Sequence, residues 1–378
     1  MPYSWTCDEP LDGKGRKPIN YSTTLGPVAV ARATARCPRC HQGVPYLDEY
    51  LEITPQGMTP ALASAVALMG TCEADEQAAA LLQKNLHQEI DDNGVQRTVA
   101  YVAKLASRWV ILDGDALDSV LAELPETEPL TLYVGLDGGR IRFRDEGWKE
   151  PCEGVIWWRD PRSGHRKRVV VGDVRNKANV QDALDRFIRG AQARCPQLTL
   201  VLIADGAEWI WTWAKQYEDA IKILDYYHLK EHLYEAGEAL YPDDPAQVRT
   251  WVKTIRQPLW EGEVEAALAR LARMQPRGSD AEKRQKQEAL DALTRYLRNH
   301  QGLIAYAQHR ERDRDLGSGT VESTCKQLFN MRMKGPGMFW SVPGAQAIII
   351  LRSVLLSDRW EQIWQPAFQE EQSLAVAA

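Results

Sequence analysis

The chain has 378 residues, 44% of them hydrophobic, and a formal net charge of −6, which indicates a globular protein of two or three domains and excludes a chain that is basic throughout. Binding of DNA through a local basic patch stays open, because only the field over the contact surface matters. No apolar run is long enough to cross a bilayer and residues 1–21 lack the apolar centre of a signal peptide, so we expect a soluble, cytoplasmic protein without a membrane partner.

Residues 1–58 predict a loop or mobile arm followed by a zinc-ribbon-like hairpin. The arm, Asp8 to Asn20, is rich in Gly, Lys and Pro, and the run from Gly26 to Ala33 has a β pattern. Cys37 and Cys40 form a Cys-x-x-Cys motif at the expected tip of the hairpin, which is half of a zinc ribbon. The second pair is missing, so two interpretations remain: a Zn²⁺ site that includes both cysteines, or a degenerate knuckle without metal. The chain has seven cysteines, an odd number that favours reduced thiols over disulfides.

Residues 59–125 predict three short helices. The first starts at Thr59-Pro60 and ends at Gly70, the second covers 73–87, and the third covers 95–109. The third is basic, which suits a helix-turn-helix DNA-binding module, and a plain helical bundle fits the pattern equally well. The acidic, proline-containing stretch 125–129 is the best domain boundary.

Residues 126–229 predict an α/β sheet with an antiparallel start. Strands are expected at 130–137, at 140–144 as its hairpin partner, and in a third region formed by 154–158 and 166–171. A helix at 180–193, an apolar strand at 198–204, a helix at 208–217 and a strand at 220–225 follow. This order is that of the ribonuclease-H-like (RNase-H-like) fold.

Residues 230–309 predict an all-helical insertion, and residues 310–378 the return of the core with C-terminal helices. The longest helix of the insertion, 279–300, has Ser279 as its cap and Glu282 in a capping box. The return begins with a glycine-rich turn, 317–319, that leads into a helix carrying Glu322.

Three carboxylates carry the chemical prediction. Asp137 and Asp205 each end an apolar strand and precede glycine, at the edge where α/β sheets bind ligands. Carboxylate oxygens suit Mg²⁺ or Mn²⁺, and Glu322 would complete a site for two ions acting on a phosphodiester. Any one of these aspartates alone is more often a cap or turn residue, so the prediction depends on all three meeting.

Further candidates surround these carboxylates. His228 could orient a phosphate or help a proton transfer; alternatively Asp225 caps the next helix and His228 is a buried, satisfied histidine. Basic residues could contact phosphates or form a solvated face, and an aromatic residue could stack on a base, although a core tryptophan is favoured. The candidate DNA contacts are Arg140, Arg166, Lys167, Arg168, Lys326, Arg332, Lys334 and Trp340.

Several motifs occur in the order of a known family: Asp137-Gly138-Gly139, 204–211, 224–229, 317–322, 332–340, 344–352 and Arg359-Trp360. From about Cys37 to Trp364 the chain resembles bacterial insertion-sequence transposases of the DDE type, most closely the Kra-type group and more distantly the Mutator-like enzymes. Relatives carry a fuller cysteine-rich N-terminus than the single Cys-x-x-Cys of this chain, which puts recognition of the transposon ends in doubt.

The resemblance implies an RNase-H-like core with a helical insertion and two bound Mg²⁺ or Mn²⁺ ions. It implies Asp137, Asp205 and Glu322 as the catalytic triad, cleavage at transposon ends, and strand transfer into target DNA. Double-stranded DNA would be the partner, and the protein would act on it as a homodimer or higher multimer. Two alternatives stay open: a catalytically silent DNA-binding descendant, and an RNase-H-fold nuclease or resolvase.

Overall fold

The computed structural model describes residues 9–41, 43–44 and 46–364. The strands in this part of the chain are β1 (Asp12–Thr23), β2 (Gly26–Arg36), β3 (Gly43–Val44), β4 (Leu130–Gly138), β5 (Ile141–Phe143), β6 (Gly147–Lys149), β7 (Cys152–Arg159), β8 (Arg166–Asp173), β9 (Leu198–Ala204) and β10 (Ile221–Leu224). The α-helices are α1 (Tyr46–Tyr50), α2 (Pro60–Cys72), α3 (Asp75–Leu86), α4 (Asp92–Ala106), α5 (Arg108–Ile111), α6 (Gly114–Leu121), α7 (Lys177–Arg194), α8 (Glu208–Ala214), α9 (Tyr226–Leu240), α10 (Pro245–Trp260), α11 (Val264–Ala272), α12 (Asp280–His300), α13 (Tyr306–Arg310), α14 (Gly319–Cys325), α15 (Met331–Met333) and α16 (Val342–Leu356). Across the described residues, none of these helices has the length and apolar character needed to span a membrane.

The chain divides into two compact units. The first consists of Met1–Val110, Ile141–Lys149 and Leu328–Ala378. The second consists of Ile111–Arg140 and Glu150–Gln327.

The second unit contains a mixed five-stranded sheet with the order β10-β9-β4-β7-β8. Strands β4, β9 and β10 run parallel, whereas β7 pairs antiparallel with both β4 and β8. The central strand β4 is buried on both faces, which explains its nearly continuous apolar sequence. The predicted α/β class with an antiparallel start is therefore confirmed.

The predicted hairpin partner of β4 was wrong. Residues 141–143 form β5, which pairs with β6 in a separate two-stranded sheet of the first unit. The antiparallel partner of β4 is β7, whose residues from Cys152 to Trp158 are all buried. Trp157 of β7 stacks on Tyr133 of β4 with 5.3 Å between the ring centroids, an apolar contact that β5, with only three residues, could not supply.

Helices cover the rest of the second unit. Helix α7 packs on β7 and β8, and α14 packs on β4 and β7. Between 226 and 310, a range that the structure describes in full, the secondary structure is helical, as predicted for this segment. The capping box of α12 is confirmed, because Ser279 accepts the amide of Glu282 and Glu282 accepts the amide of Ser279.

The first unit begins with a long β-hairpin. The predicted loop or arm was wrong over 12–20, since β1 pairs with β2 along most of its length. The glycine and proline content suggested a loop, but cross-strand pairing overrides that local preference. The described part of the β2–β3 turn contains Cys37 and Cys40, at the tip where the motif was expected.

Helices α2, α3 and α4 pack together in the first unit, and α16 packs on α2 and α4. Helix α2 runs past Gly70, the residue predicted to end it. A Cβ atom at Gly70 would lie 2.7 Å from side-chain atoms of both Val95 and Val99. Gly70 therefore allows α2 and α4 to approach closely and does not terminate the helix.

Candidate active site

Three aspartates line one edge of the sheet in the second unit. The parallel pairs Val134–Leu202 and Leu224–Ala204 fix the registers of β4 with β9 and of β10 with β9. Continuing both registers to the strand ends places Asp137, Asp205 and Asp225 side by side. The carboxyl ends of neighbouring parallel strands are where ligands bind in such sheets.

Glu322 reaches this edge on α14, which lies against β4. A Cβ atom at Gly135 of β4 would be 2.5 Å from Cγ2 of Val321, so only glycine allows this close packing. Ser318 is the N-cap position directly before α14, and its carbonyl accepts the amide of Glu322 at 2.8 Å. Glu322 is itself exposed to solvent on the first turn of the helix.

The glycine-rich turn before Glu322 is tied to the end of β10. The amide of Ser318 donates to Oδ2 of Asp225 at 2.7 Å, and the Ser318 hydroxyl donates to the same oxygen. Gly317 lies against the ring of Tyr227, where a Cβ atom would collide with ring carbons. The amide of Tyr226 donates to the carbonyl of Leu316 at 3.0 Å. These contacts place the start of α14 beside the strand ends.

Two of the predicted metal ligands at this edge of the sheet, Asp137 and Glu322, have raised pKa values. Burial raises the pKa of Asp137, and the charge of Asp205 raises it further, against the lowering effect of the Gly138 amide. Glu322 is exposed at the surface, but neighbouring atoms remove part of the hydration of its carboxylate, and this desolvation raises its pKa, with contributions from the charges of Asp225, Glu231 and Asp137. The charge of Asp137 thus interacts unfavourably with those of Asp205 and Glu322, and a cation bound beside Asp137 would relieve that repulsion.

The three predicted ligands are carboxylates, but among the described residues the group whose ligand atoms lie close enough for a single ion is Asp137, Glu153 and Cys325, which leaves out Asp205 and Glu322. Asp137 accepts its neighbouring amide, that of Gly138, at 2.6 Å through Oδ1, and Asp205 accepts the amide of Ala207 at 2.9 Å through Oδ1. Within the described residues no hydrogen bond reaches the second oxygen of Asp205 or the carboxylate of Glu322. Hard oxygen donors of this kind suit Mg²⁺ or Mn²⁺.

Asp225 and His228 have different roles. Asp225 is buried and caps α9 by accepting the amides of Tyr227 and His228, so the capping alternative is confirmed for this residue. His228 is half-exposed, not buried, and forms a 3.3 Å pair with Glu231. Its charge would lower the pKa of both Asp137 and Glu322, so it lies beside the candidate site.

One carboxylate at the site was missed by the sequence analysis. Glu153 lies directly opposite Asp137 in the β4–β7 ladder, and its side chain is 0% exposed. Burial, followed by the charge of Asp137, raises its pKa well above the usual range, and Arg168 opposes that effect. A single carboxylate in a strand that is otherwise apolar up to Trp158 was the available signal.

The basic residues predicted to lie in a turn are the first three of β8, and they form bonds inside the second unit. Arg166 donates to Asp315 at 3.0 Å and to the Thr320 hydroxyl at 2.7 Å, and Lys167 pairs with Glu123 at 2.8 Å. Arg168 donates to Thr324 and Gln327, both at 3.3 Å. The two arginines therefore hold α14 against the sheet, and their predicted DNA contacts would have to compete with these bonds.

Other predicted DNA contacts lie elsewhere. Arg332 is 3% exposed in the first unit, where it donates to the carbonyl of Gly70 and pairs with Asp75 at 3.2 Å. This burial does not fit a phosphate contact. Trp340 donates to the carbonyl of Met333 at 3.0 Å and lies beneath the Arg332 guanidinium, the packing role that was favoured for it.

Three predicted basic contacts remain at the surface. Arg140 pairs loosely with Glu150 at 3.7 Å. Lys326 of the second unit and Lys334 of the first are exposed, and the described residues provide no side-chain partner for either. Their DNA contacts stay predictions.

The zinc prediction also stays untested. Cys37 is buried, Cys40 is partly exposed, and the amide of Cys40 lies 3.4 Å from Sγ of Cys37. Over the described ranges, the group of three or more His, Cys, Asp or Glu residues close enough to hold a metal is Asp137, Glu153 and Cys325, which does not include this pair. Cys7 lies outside the described residues.

A cleft of about 730 Å³ opens in the second unit beside Asp205, and Gly206 forms part of its wall. Its lining combines basic and aromatic side chains, including Lys215, Lys222, Arg295, Trp211, Tyr296 and His300. Backbone phosphates and unpaired bases bind well to such a combination.

Comparison with models of known protein families found no match, and comparison with curated proteins found no significantly similar sequence. A function for this protein is therefore inferred from the residues of the site.

Proposed function

We propose that this protein is a DDE-type DNA transposase, in which Asp137, Asp205 and Glu322 hold Mg²⁺ or Mn²⁺ for cleavage at transposon ends and strand transfer. The observation that carries the proposal is that two strand-end aspartates lie side by side at one edge of the sheet and that the charge of one of them, Asp137, acts on the α14 glutamate. Bound there, the ions would supply Lewis-acid activation of a phosphodiester and neutralise developing charge.

We also propose that the sheet is an RNase-H-like core. Counted along the five strands of the sheet, its spatial order is fifth, fourth, first, second and third. Two antiparallel pairings and two parallel pairings in this order support the proposal, as does the helical segment that separates β10 from α14.

The chain's own residues would position the substrate and the carboxylates. Asp225 would keep Ser318, and with it Glu322, at the metal edge. His228, half-exposed beside Asp137 and Glu322, would donate a hydrogen bond to a phosphate oxygen. The cleft beside Asp205 would hold the strand that flanks the cut, with Lys215, Lys222 and Arg295 against its phosphates.

The test is cleavage of double-stranded DNA carrying the element's own ends, with Mg²⁺ or Mn²⁺ and the full chain. We expect Asp137→Asn, Asp205→Asn and Glu322→Gln each to lower the rate roughly 10²-fold or more, the scale of losing one preorganised electrostatic group. Asp182→Asn, which changes an exposed carboxylate on α7, is the matched control and should cut normally.

Each outcome separates the alternatives. Cleavage and joining that survive in all three variants would overturn the assignment. DNA binding without cleavage in wild type would favour a silent descendant, and cutting of branched DNA without strand transfer would favour a nuclease or resolvase.

A further inference from the structure

A second group of potential metal ligands shares one residue, Asp137, with the proposed catalytic edge. One ligand atom each from Asp137, Glu153 and Cys325 lie within 4.8 Å of one another, and we name these three residues the inner cluster. The proposed reaction uses Asp137 but gives no task to Glu153 or Cys325.

Glu153 is the residue that points to a bound ligand at the inner cluster. Its side chain is 0% exposed, and within the described chain neither of its carboxylate oxygens has a hydrogen-bond partner. A buried polar group without a partner is costly, so its persistence next to two other potential ligands needs a reason. A bound cation would supply the missing partner.

Cys325 decides which cation the inner cluster would prefer. It is the last residue of α14, partly exposed, and its side chain hydrogen-bonds to Asp137. Thiolates bind soft and borderline ions strongly, whereas Mg²⁺ prefers oxygen alone. Cysteine sulfur and carboxylate oxygen are both zinc ligands, and a site with three protein ligands keeps a fourth position for water.

We propose that Asp137, Glu153 and Cys325 form a separate site for one thiophilic divalent ion of the Zn²⁺, Co²⁺ or Cd²⁺ class. Bond lengths of about 2.0–2.3 Å in a tetrahedral site need ligand atoms about 3.5 Å apart, so the side chains must move only slightly closer. On binding, the ion displaces the proton of the Cys325 thiol and the proton of the buried Glu153 carboxyl, both of which go to solvent, and the thiolate and the carboxylates become the ligands. Arg168, whose charge acts on Glu153, offsets part of the excess negative charge.

Occupation of the inner cluster has a consequence that rests on the proposed function. Asp137 belongs both to the inner cluster and to the proposed catalytic edge. An ion held by Glu153 and Cys325 would draw Asp137 away from Asp205, so Zn²⁺ would inhibit cleavage that depends on Mg²⁺.

The test is a Co²⁺ titration of the metal-free full chain, followed by the thiolate-to-cobalt charge-transfer absorption. We expect the difference between the absorption spectra of wild type and Cys325→Ala to show the charge-transfer band of one thiolate per chain. The Cys37–Cys40 pair is present in both proteins and cancels in the difference. Cys152→Ala is the matched control, because Cys152 is a buried thiol beside Glu153 but outside the inner cluster, and it should keep the band.

Further variants separate this site from the catalytic edge. Glu153→Gln should weaken Co²⁺ binding at least about tenfold, the minimum usual loss for disturbing a metal's ligand shell. Asp205→Asn and Glu322→Gln should keep the charge-transfer band, because neither residue is a ligand of the inner cluster. An identical spectrum in wild type and Cys325→Ala, or unchanged affinity in Glu153→Gln, would overturn the proposal. Absence of DNA cleavage would refute the proposed function while leaving the cobalt result intact.

Discussion

At the residue scale, Asp225 holds two elements together with one carboxylate. Oδ1 accepts the amides of Tyr227 and His228, and Oδ2 accepts both the amide and the hydroxyl of Ser318. The residue is only 1% exposed, so these bonds form away from water, where leaving a group unpaired is expensive.

Asp225→Ala should therefore destabilise the protein by about 2–4 kcal/mol, the combined scale of a lost cap and of unpaired buried donors. Asp244→Ala is the matched control: Asp244 caps α10 through two amides but is exposed, and should cost about 1 kcal/mol. Urea unfolding monitored by circular dichroism gives both values. Equal losses would show that burial and the Ser318 bonds contribute nothing.

His309 gives the stability a defined pH dependence. It is 7% exposed, and burial, with the charges of Arg314 and Arg312, lowers its pKa below the ordinary 6.5. Between pH 6.5 and the lower folded pKa, His309 binds a proton in the unfolded chain but not in the folded protein. The free energy of unfolding therefore decreases as pH falls through this range.

We expect His309→Gln to flatten this part of the stability profile, because glutamine does not titrate. Urea unfolding at steps between about pH 7.5 and pH 5 measures the slope, to which each group contributes by its difference in bound protons. Identical slopes in wild type and variant would exclude His309 as the source.

At the element scale, Gly135 sets the distance between α14 and the sheet. A Cβ atom there would lie 2.5 Å from Val321 and 2.9 Å from the carbonyl of Ile203, so Gly135→Ala should push α14 outward and cost about 1–3 kcal/mol. Gly138→Ala on the same strand is the control, since its nearest neighbour, Pro151 O, is at 3.6 Å. Thermal unfolding compares the two, and equal melting temperatures would contradict this packing.

The sequence predicted those strands and helices whose burial or capping can be recognised from residues within the element itself. Strands β4 and β9 appear as apolar runs because both their faces are buried, and α12 carries its own capping box. The partner of β4 could not be predicted, because antiparallel pairing depends on the tertiary packing of Trp157 against Tyr133.

Only part of the candidate site could be predicted from the sequence. Asp137 and Asp205 stand out at strand ends before glycine, whereas Glu153 is a charge inside a buried strand and becomes meaningful only through its register with Asp137. The inward use of Arg166 and Arg168 was also hidden, because a basic turn looks alike in sequence whether it contacts solvent, DNA or α14.

At the scale of the whole molecule, a net charge of −6 means that the proposed DNA binding requires local basic surfaces. The cleft beside Asp205 is such a surface, with Lys215, Lys222 and Arg295 in its lining. Replacing each of them by alanine should weaken DNA binding and reduce the salt dependence by about one unit of slope per lost phosphate contact.

Lys253→Ala is the matched control for the cleft, because Lys253 is an exposed residue of α10 outside the cleft lining. Fluorescence anisotropy at several salt concentrations gives affinity and slope together. A loss in Lys253→Ala as large as in the cleft variants would assign the effect to net charge instead of to the cleft.

The central claim is that Asp137, Asp205 and Glu322 hold divalent metal together, and anomalous scattering from crystals grown with Mn²⁺ tests it most directly. We expect two manganese peaks roughly 3.5–4 Å apart, with Asp137 and Asp205 at one and Glu322 at the other. Crystals with no manganese between these carboxylates, or with manganese only at the inner cluster, would contradict it.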